Sequence, residues 1–116
     1  MSEGQFTAPH NLPIDLPMNR IAEFCTRWGI VEFALFGSVL RDDFGPESDI
    51  DVLVQFTAER KYKLRDILQM EREIEALLGR EVDLVDRLTV ERSENYLRRR
   101  AILNQAQVIY HAARSA

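Results

Sequence analysis

Apolar residues recur every three or four positions in three stretches of the chain, and this spacing is typical of amphipathic helices. It predicts helices over residues 19–28, 61–78 and 89–103. Asn19 and Thr89 can cap the first and third of these helices, and Gly29 can end the first. A further short helix is expected over residues 38–44, after the Gly-Ser pair at Gly37.

Short runs rich in β-branched and aromatic residues separate the helices and predict strands over 30–36, 49–56 and 81–86. A final edge strand over 106–110 is favoured over a continued helix. The long helical crossover between the second and third strands suits a parallel pair. About a dozen residues separate the first and second strands, and this suits an antiparallel pair. We therefore predict an α/β fold of the α+β type, with a small mixed sheet and flanking helices.

A chain of 116 residues can bury one core and is expected to form one domain. Residues 1–17 contain three prolines and no hydrophobic period, which predicts an irregular N-terminal arm before a domain over 18–116. No apolar run is long enough for a membrane helix, and no signal peptide is evident. A single cysteine, Cys25, fits a reducing compartment and a buried position. Cytoplasmic localisation without membrane binding is predicted.

Three aspartates are the first residues that indicate a functional site. Asp49 and Asp51 alternate along the second predicted strand and therefore point to the same face. Asp83 can lie beside them, at about the same height, in the parallel third strand. Unit charges of like sign 4 Å apart repel by about 4 kcal/mol at an effective dielectric constant of 20. Such a cluster calls for a cation, and its all-oxygen ligands suit Mg²⁺.

The Gly37-Ser38 pair predicts a turn that can bind phosphate. Glycine lets a phosphate approach the backbone, and the amides and hydroxyl around Ser38 can donate hydrogen bonds to it. A phosphate at one end and a metal at the other indicate a metal-bound nucleoside triphosphate. Two metal ions could then activate an attacking hydroxyl and stabilise a leaving pyrophosphate.

The ordered set Gly37-Ser38, Arg41, Ser48-Asp49-Ile50-Asp51 and the later "VDLV" at 82–85 resembles the nucleotidyltransferase superfamily that includes DNA polymerase β. The chain is most similar to the minimal nucleotidyltransferases, small antitoxins that act beside HEPN-domain toxins. The resemblance implies a nucleotidyltransferase fold, two Mg²⁺ ions and ATP as the substrate.

The same resemblance implies a role for each matching residue. Asp49 and Asp51 would bind both metal ions, while Asp83 would bind the catalytic ion and could accept the proton of the attacking hydroxyl. The nucleotide would be held by Gly37, Ser38, Arg41 and Ser48, with Arg41 neutralising the triphosphate.

The implied acceptor is a tyrosine of a cognate HEPN ribonuclease toxin, which would receive AMP and be neutralised within a toxin–antitoxin hetero-oligomer. One alternative is an antitoxin that inhibits its toxin by binding alone. Another is an enzyme that modifies a small molecule or a nucleic-acid end. The net charge of −4 argues against direct nucleic-acid binding. Arg98, Arg99 and Arg100 form a basic run that is interpreted first as a solvated helix face, and otherwise as a contact for nucleic acid or an acidic partner.

Overall fold

The secondary structure follows the predicted order, with two additions. The computed structural model describes residues 5–6, 12, 14–41, 43–58 and 61–112. Its strands are β1 (Gln5–Phe6), β2 (Ile30–Phe36), β3 (Ile50–Phe56), β4 (Val82–Asp86) and β5 (Gln107–His111). Its helices are α1 (Met18–Trp28), α2 (Leu64–Leu78), α3 (Arg87–Glu91) and α4 (Tyr96–Gln105), and a 3₁₀ turn spans Gly37–Leu40.

The described strands form one mixed sheet in the order β1-β5-β2-β3-β4. β2 is antiparallel to both β3 and β5, while β3 and β4 are parallel. The predicted mixed sheet and both predicted strand orientations are confirmed. The final strand is also confirmed, because β5 pairs with β2 in the centre of the sheet. β5 is not the edge strand that was predicted, because β1 of the N-terminal arm pairs with its other side.

Each face of the sheet carries its own apolar cluster, because side chains alternate along the strands. On one face, Ile50, Val52 and Val54 of β3 are buried with residues of α1 and α2, Cys25 among them. On the other face, Leu53 is buried in a cluster that we call the α4-side cluster, whose buried members are Ala34, Phe36, Leu53, Val90 and Ile102. Asp51 shares its face with Leu53, since the two are separated by two positions on one strand.

The predicted helix over 89–103 is wrong, because the chain forms two helices there. Asp86 caps α3 by accepting a hydrogen bond from the backbone N–H of Leu88. Asn95 caps α4 by accepting one from the backbone N–H of Arg98. Thr89 lies inside α3 and is not a cap. The polar residues between the helices hydrogen-bond locally, as the hydroxyl of Ser93 does with the N–H of Asn95, and such bonds compete with a continuous helix.

Smaller differences occur at other helix boundaries. α1 begins at Met18, so Asn19 lies in its first turn rather than at its cap; Gly29 ends the helix with φ +69°, as predicted. α2 begins at Leu64, where the Asp66 carboxylate accepts a hydrogen bond from the backbone N–H of Lys63. The predicted short helix over 38–44 is instead the 3₁₀ turn.

The N-terminal arm contributes the strand β1, whereas the sequence predicted no strand there. Residues 5 and 6 pair with His111 and Tyr110 of β5 in antiparallel register. Most of the first ten residues lie outside the described part of the chain, so the predicted irregular arm is not described further. In the described residues, no helix has the length and apolarity that crossing a membrane requires.

Candidate active site

Two of the three predicted aspartates face each other across neighbouring strands. Asp51 of β3 is the register partner of Asp83 of β4 in the parallel pair. On its other side Asp51 pairs with Phe36 of β2. Asp49 precedes β3 directly and is exposed, as is Asp83, whereas Asp51 is half-buried. We call this end of the sheet, with Asp49, Asp51 and Asp83, the acidic rim.

The charges around the acidic rim change the pKa of Asp51. The pKa of Asp51 is raised above its usual value, chiefly by burial and then by the negative charges of Asp83 and Asp49. Arg41 and Arg98 oppose this rise in pKa with their positive charges. The charges of Asp83 and Asp49 therefore act on Asp51, and a cation placed beside Asp51 would relieve the repulsion.

The side chains of the acidic rim fit a magnesium ion that also has other ligands. Among the described residues, no three His, Cys, Asp or Glu side chains are grouped to hold a metal ion by themselves. Mg²⁺ usually takes only one or two carboxylates and completes its octahedron with water and substrate phosphates. The adjacent carboxylates of Asp51 and Asp83 meet that lower requirement, and Asp49 lies within electrostatic reach.

The turn after β2 packs directly against the acidic rim. Gly37 has φ +78°, a backbone conformation that side chains rarely adopt. A Cβ atom at this position would come within 2.2 Å of Oδ2 of Asp51. Ser38 follows as the second residue of the 3₁₀ turn and is half-buried. Glycine at position 37 thus allows the backbone to lie against a carboxylate of the predicted site.

Arg41 and Ser48 have local partners in the loop between the turn and β3. The guanidinium of Arg41 forms an exposed ion pair with Asp43, with 3.1 Å between Nε and Oδ1. The hydroxyl of Ser48 accepts a hydrogen bond of 2.9 Å from the backbone N–H of Gly45. In this arrangement the Ser48 side chain closes a turn, and Arg41 points along the loop.

Sequence reasoning missed the residue that anchors this loop. Nη2 of Arg80 donates hydrogen bonds of 2.5 Å and 2.9 Å to the carbonyl oxygens of Gly45 and Ser48. Its guanidinium also lies 4.3 Å from the ring centre of Phe44. Arg80 directly follows Gly79, the residue that ends α2 in the left-handed conformation. No motif marks it, because its contacts depend on how the sheet brings residues 44–48 beside the end of α2.

The family profile described as nucleotidyltransferase domain matches residues 18–109, which is most of the chain. The chain belongs to this family. The matched segment contains the acidic rim, the Gly37 turn and all of β2 to β4. The predicted family is therefore confirmed, and the chain is a nucleotidyltransferase domain.

Individual relatives of this nucleotidyltransferase domain differ in how much of their length they share with it. Protein adenylyltransferase MntA of Thermococcus cleftensis is 41% identical over 63 residues, which make up 54% of this chain and 62% of that protein. This chain thus covers less than two thirds of that relative. A solved structure described as a candidate minimal nucleotidyltransferase is 32% identical, with a TM-score of 0.60, over 77% of this chain and 85% of that one.

The fold also occurs in a toxin–antitoxin assembly. A chain in the solved complex of the tri-AMPylated Shewanella oneidensis HEPN toxin with its MNT antitoxin superposes with a TM-score of 0.52. The sequences are 22% identical, over 78% of this chain and 66% of that chain. At this identity the likeness shows a shared fold alone.

Replacement of Arg80 by alanine is expected to loosen the loop that leads into the acidic rim. Loss of its charge-assisted hydrogen bonds should lower the free energy of unfolding by about 1–3 kcal/mol. Arg72→Ala is the matched control, because the Arg72 guanidinium donates a hydrogen bond to Gln69 on its own helix rather than to a distant loop. Thermal unfolding and hydrogen exchange at the Ser48 amide measure the effect. Equal stability and exchange in the two variants would contradict the anchoring role.

A separate cavity of about 550 Å³ lies at the opposite end of the sheet. Its described lining residues are Val54, Phe56, Lys61, Tyr62, Ile67, Leu84, Val85, Asp86 and Thr89. Because β3 runs from Ile50 to Phe56, this cavity lies away from Asp51. The acidic rim is by contrast open, with Asp49 and Asp83 exposed, so a group carried by another macromolecule can reach it.

Proposed function

We propose that this nucleotidyltransferase is a Mg²⁺-dependent antitoxin that transfers AMP from ATP to a tyrosine hydroxyl of a cognate HEPN ribonuclease toxin. The observation that carries the proposal is the register pairing of Asp51 with Asp83, beside the turn at Gly37. The relative named protein adenylyltransferase supports the reaction class. The complex of an AMPylated HEPN toxin with its MNT antitoxin supports the partner.

In the proposed reaction the tyrosine oxygen forms a bond to the α-phosphorus of ATP. The bond from that phosphorus to the bridging oxygen breaks, and pyrophosphate leaves. The hydroxyl proton passes to the carboxylate of Asp83, which is exposed and can meet an incoming side chain. Mg²⁺, when bound, supplies positive charge that offsets the charge developing on the phosphoryl oxygens.

In this proposal the residues at the acidic rim have two roles, which are metal binding and phosphate binding. Asp49, Asp51 and Asp83 would hold the metal ions. Gly37 and Ser38 would hold the phosphates through the backbone of the turn and the Ser38 hydroxyl. Arg41 would exchange its exposed partner Asp43 for the triphosphate, since exposed ion pairs are weak. Ser48 would act by keeping the preceding turn closed.

A protein acceptor fits the open shape of the acidic rim. A tyrosine side chain on a partner surface could reach the exposed carboxylate of Asp83 without entering an enclosed cavity. The transferred group adds negative charge and bulk to the toxin. Both would oppose entry of RNA into a ribonuclease site, because RNA is itself a polyanion.

The reaction can be tested with ATP labelled at either end of the triphosphate. The protein is incubated with Mg²⁺, its cognate toxin and ATP carrying the label on the α- or the γ-phosphorus. We expect the toxin to retain the α-label and not the γ-label, with release of pyrophosphate. A toxin with the acceptor tyrosine replaced by phenylalanine should remain unlabelled. Retention of the γ-label, or no labelling at all, would contradict the proposal.

A further inference from the structure

The three consecutive arginines of α4 have different surroundings. Nη1 of Arg99 donates a hydrogen bond of 2.9 Å to the carbonyl oxygen of Ser93, and its guanidinium lies 5.3 Å from the ring centre of Tyr96. Nη1 of Arg100 donates one of 3.2 Å to the hydroxyl of Tyr96. Within the described part of the chain, the guanidinium of Arg98 has no hydrogen bond or ion pair. Arg99 and Arg100 are therefore held by partners on α4 or just before it, and Arg98 is not.

Arg98 lies on the side of α4 that faces the acidic rim. It precedes Ile102 by four residues, and positions four apart share one face of a helix. Ile102 is buried in the α4-side cluster with Phe36 and Leu53. Phe36 is the register partner of Asp51, and Leu53 stands on the same face of β3. Arg98 thus extends from the helix face that covers the strands next to Asp51.

Electrostatics agree with this placement. The positive charge of Arg98 acts to lower the pKa of Asp51, as does that of Arg41. Arg98 is nevertheless exposed and not paired with Asp51, so its guanidinium can turn toward a ligand without breaking a bond seen in the structure. Arg41, the other cation near Asp51, is paired with Asp43.

We infer that Arg98 is a nucleotide-positioning residue that binds phosphate oxygens of the nucleoside triphosphate at the acidic rim. The inference rests on the proposed function for the identity of the ligand. A guanidinium presents a planar set of donors that can bind two phosphate oxygens at once. The helix face of Arg98 packs beside Phe36 and Leu53, the neighbours of Asp51, so these donors are available to a phosphate that a cation holds on that carboxylate.

The effect on nucleotide affinity separates Arg98 from its neighbours. We measure the dissociation constant of ATP with Mg²⁺ by calorimetry for the full chain and for Arg98→Ala, Arg98→Lys and Arg100→Ala. Arg98→Ala should raise the constant by about tenfold to a hundredfold, as expected for a lost charge-assisted hydrogen bond. Arg98→Lys should have a dissociation constant between those of Arg98→Ala and the unchanged protein, because an ammonium keeps the charge but not the paired donors. Arg100→Ala changes the net charge equally and should bind within about twofold of the unchanged protein, because its partner is Tyr96.

The same variants separate this inference from the proposed function. If Arg98→Ala binds ATP as well as Arg100→Ala does, the inference is overturned, whether or not AMP is transferred. A loss of toxin affinity with unchanged ATP affinity would also overturn it and would assign Arg98 to the partner interface. If the unchanged protein binds ATP through Arg98 but labels no toxin, the proposed function fails and the inference stands. Thermal unfolding of each variant confirms that the compared proteins are folded.

Discussion

Asp51→Asn is expected to abolish AMP transfer while making the folded protein more stable. The neutral amide is a much weaker ligand for Mg²⁺ than a carboxylate, so transfer should fall by at least about a hundredfold to a thousandfold. The gain in stability follows from the raised pKa of Asp51, which burial and the charges of Asp83 and Asp49 cause. A carboxylate in such surroundings destabilises the fold when it is ionised, and the amide removes that charge.

The sign of the pH dependence follows from the same shift. Because the pKa of Asp51 is higher in the folded than in the unfolded chain, the penalty is absent below the unfolded value of about 4. It grows as the pH rises through the folded value and is complete above it. Thermal unfolding without divalent cations should therefore show Asp51→Asn to be more stable than the unchanged protein at pH 7, and the two equally stable near pH 3.

Asp66→Asn is the matched control for the loss of transfer. Asp66 lies in the first turn of α2 and accepts a hydrogen bond from the backbone N–H of Lys63. Its replacement should lower stability slightly and leave transfer unchanged. Full transfer by Asp51→Asn would show that the acidic rim is not the reaction site. If Asp51→Asn transfers no AMP but still neutralises the toxin at equal expression, the toxin is inhibited by binding alone.

The second large effect is expected for Gly37→Ala. The new Cβ atom would lie 2.2 Å from Oδ2 of Asp51, closer than any stable contact, so the turn or the carboxylate must move. The left-handed backbone of Gly37 adds strain of about 1–2 kcal/mol. We expect transfer to fall by about a hundredfold or more, since displacement of a positioned group by 1 Å can cost that much. The free energy of unfolding should fall by about 1–3 kcal/mol.

Gly79→Ala separates the contact with Asp51 from the backbone strain. Gly79 has φ +71°, close to that of Gly37, but a Cβ atom there meets nothing within 4 Å. This variant should lose about 1 kcal/mol of stability and keep its transfer rate. Transfer and thermal unfolding are measured for both variants under one set of conditions. Equal transfer by the two alanine variants would contradict the close approach of the Gly37 turn to the acidic rim.

The sheet and its relation to the aspartates could be predicted from the sequence because both depend on local patterns. Alternation along β3 fixes the face of Asp51, and the length of the α2 crossover indicates the parallel pairing that brings Asp83 beside it. The break between α3 and α4 was not predicted, because residues 91–95 contain neither glycine nor proline to mark the end of a helix. Local hydrogen bonds of Ser93 and Asn95 compete with a continuous helix there.

Two arginines near the acidic rim were beyond sequence reasoning for a different reason. Long side chains find partners that depend on the tertiary arrangement, and spacing along the chain does not reveal them. Arg80 binds two carbonyl groups of a loop more than thirty residues earlier in the chain. Arg98 differs from Arg99 and Arg100 only through the helix face on which it lies, since all three belong to one basic run.

Diffraction from crystals soaked with Mn²⁺ and a non-hydrolysable ATP analogue gives the most direct measurement. Manganese replaces magnesium at oxygen-rich sites and can be located by its anomalous signal. We predict a manganese peak bonded to carboxylate oxygens of Asp51 and Asp83, with the analogue's phosphates against the turn at Gly37 and Ser38. Manganese bound elsewhere, or an analogue seated in the cavity beside Phe56 and Tyr62, would contradict nucleotidyl transfer at the acidic rim.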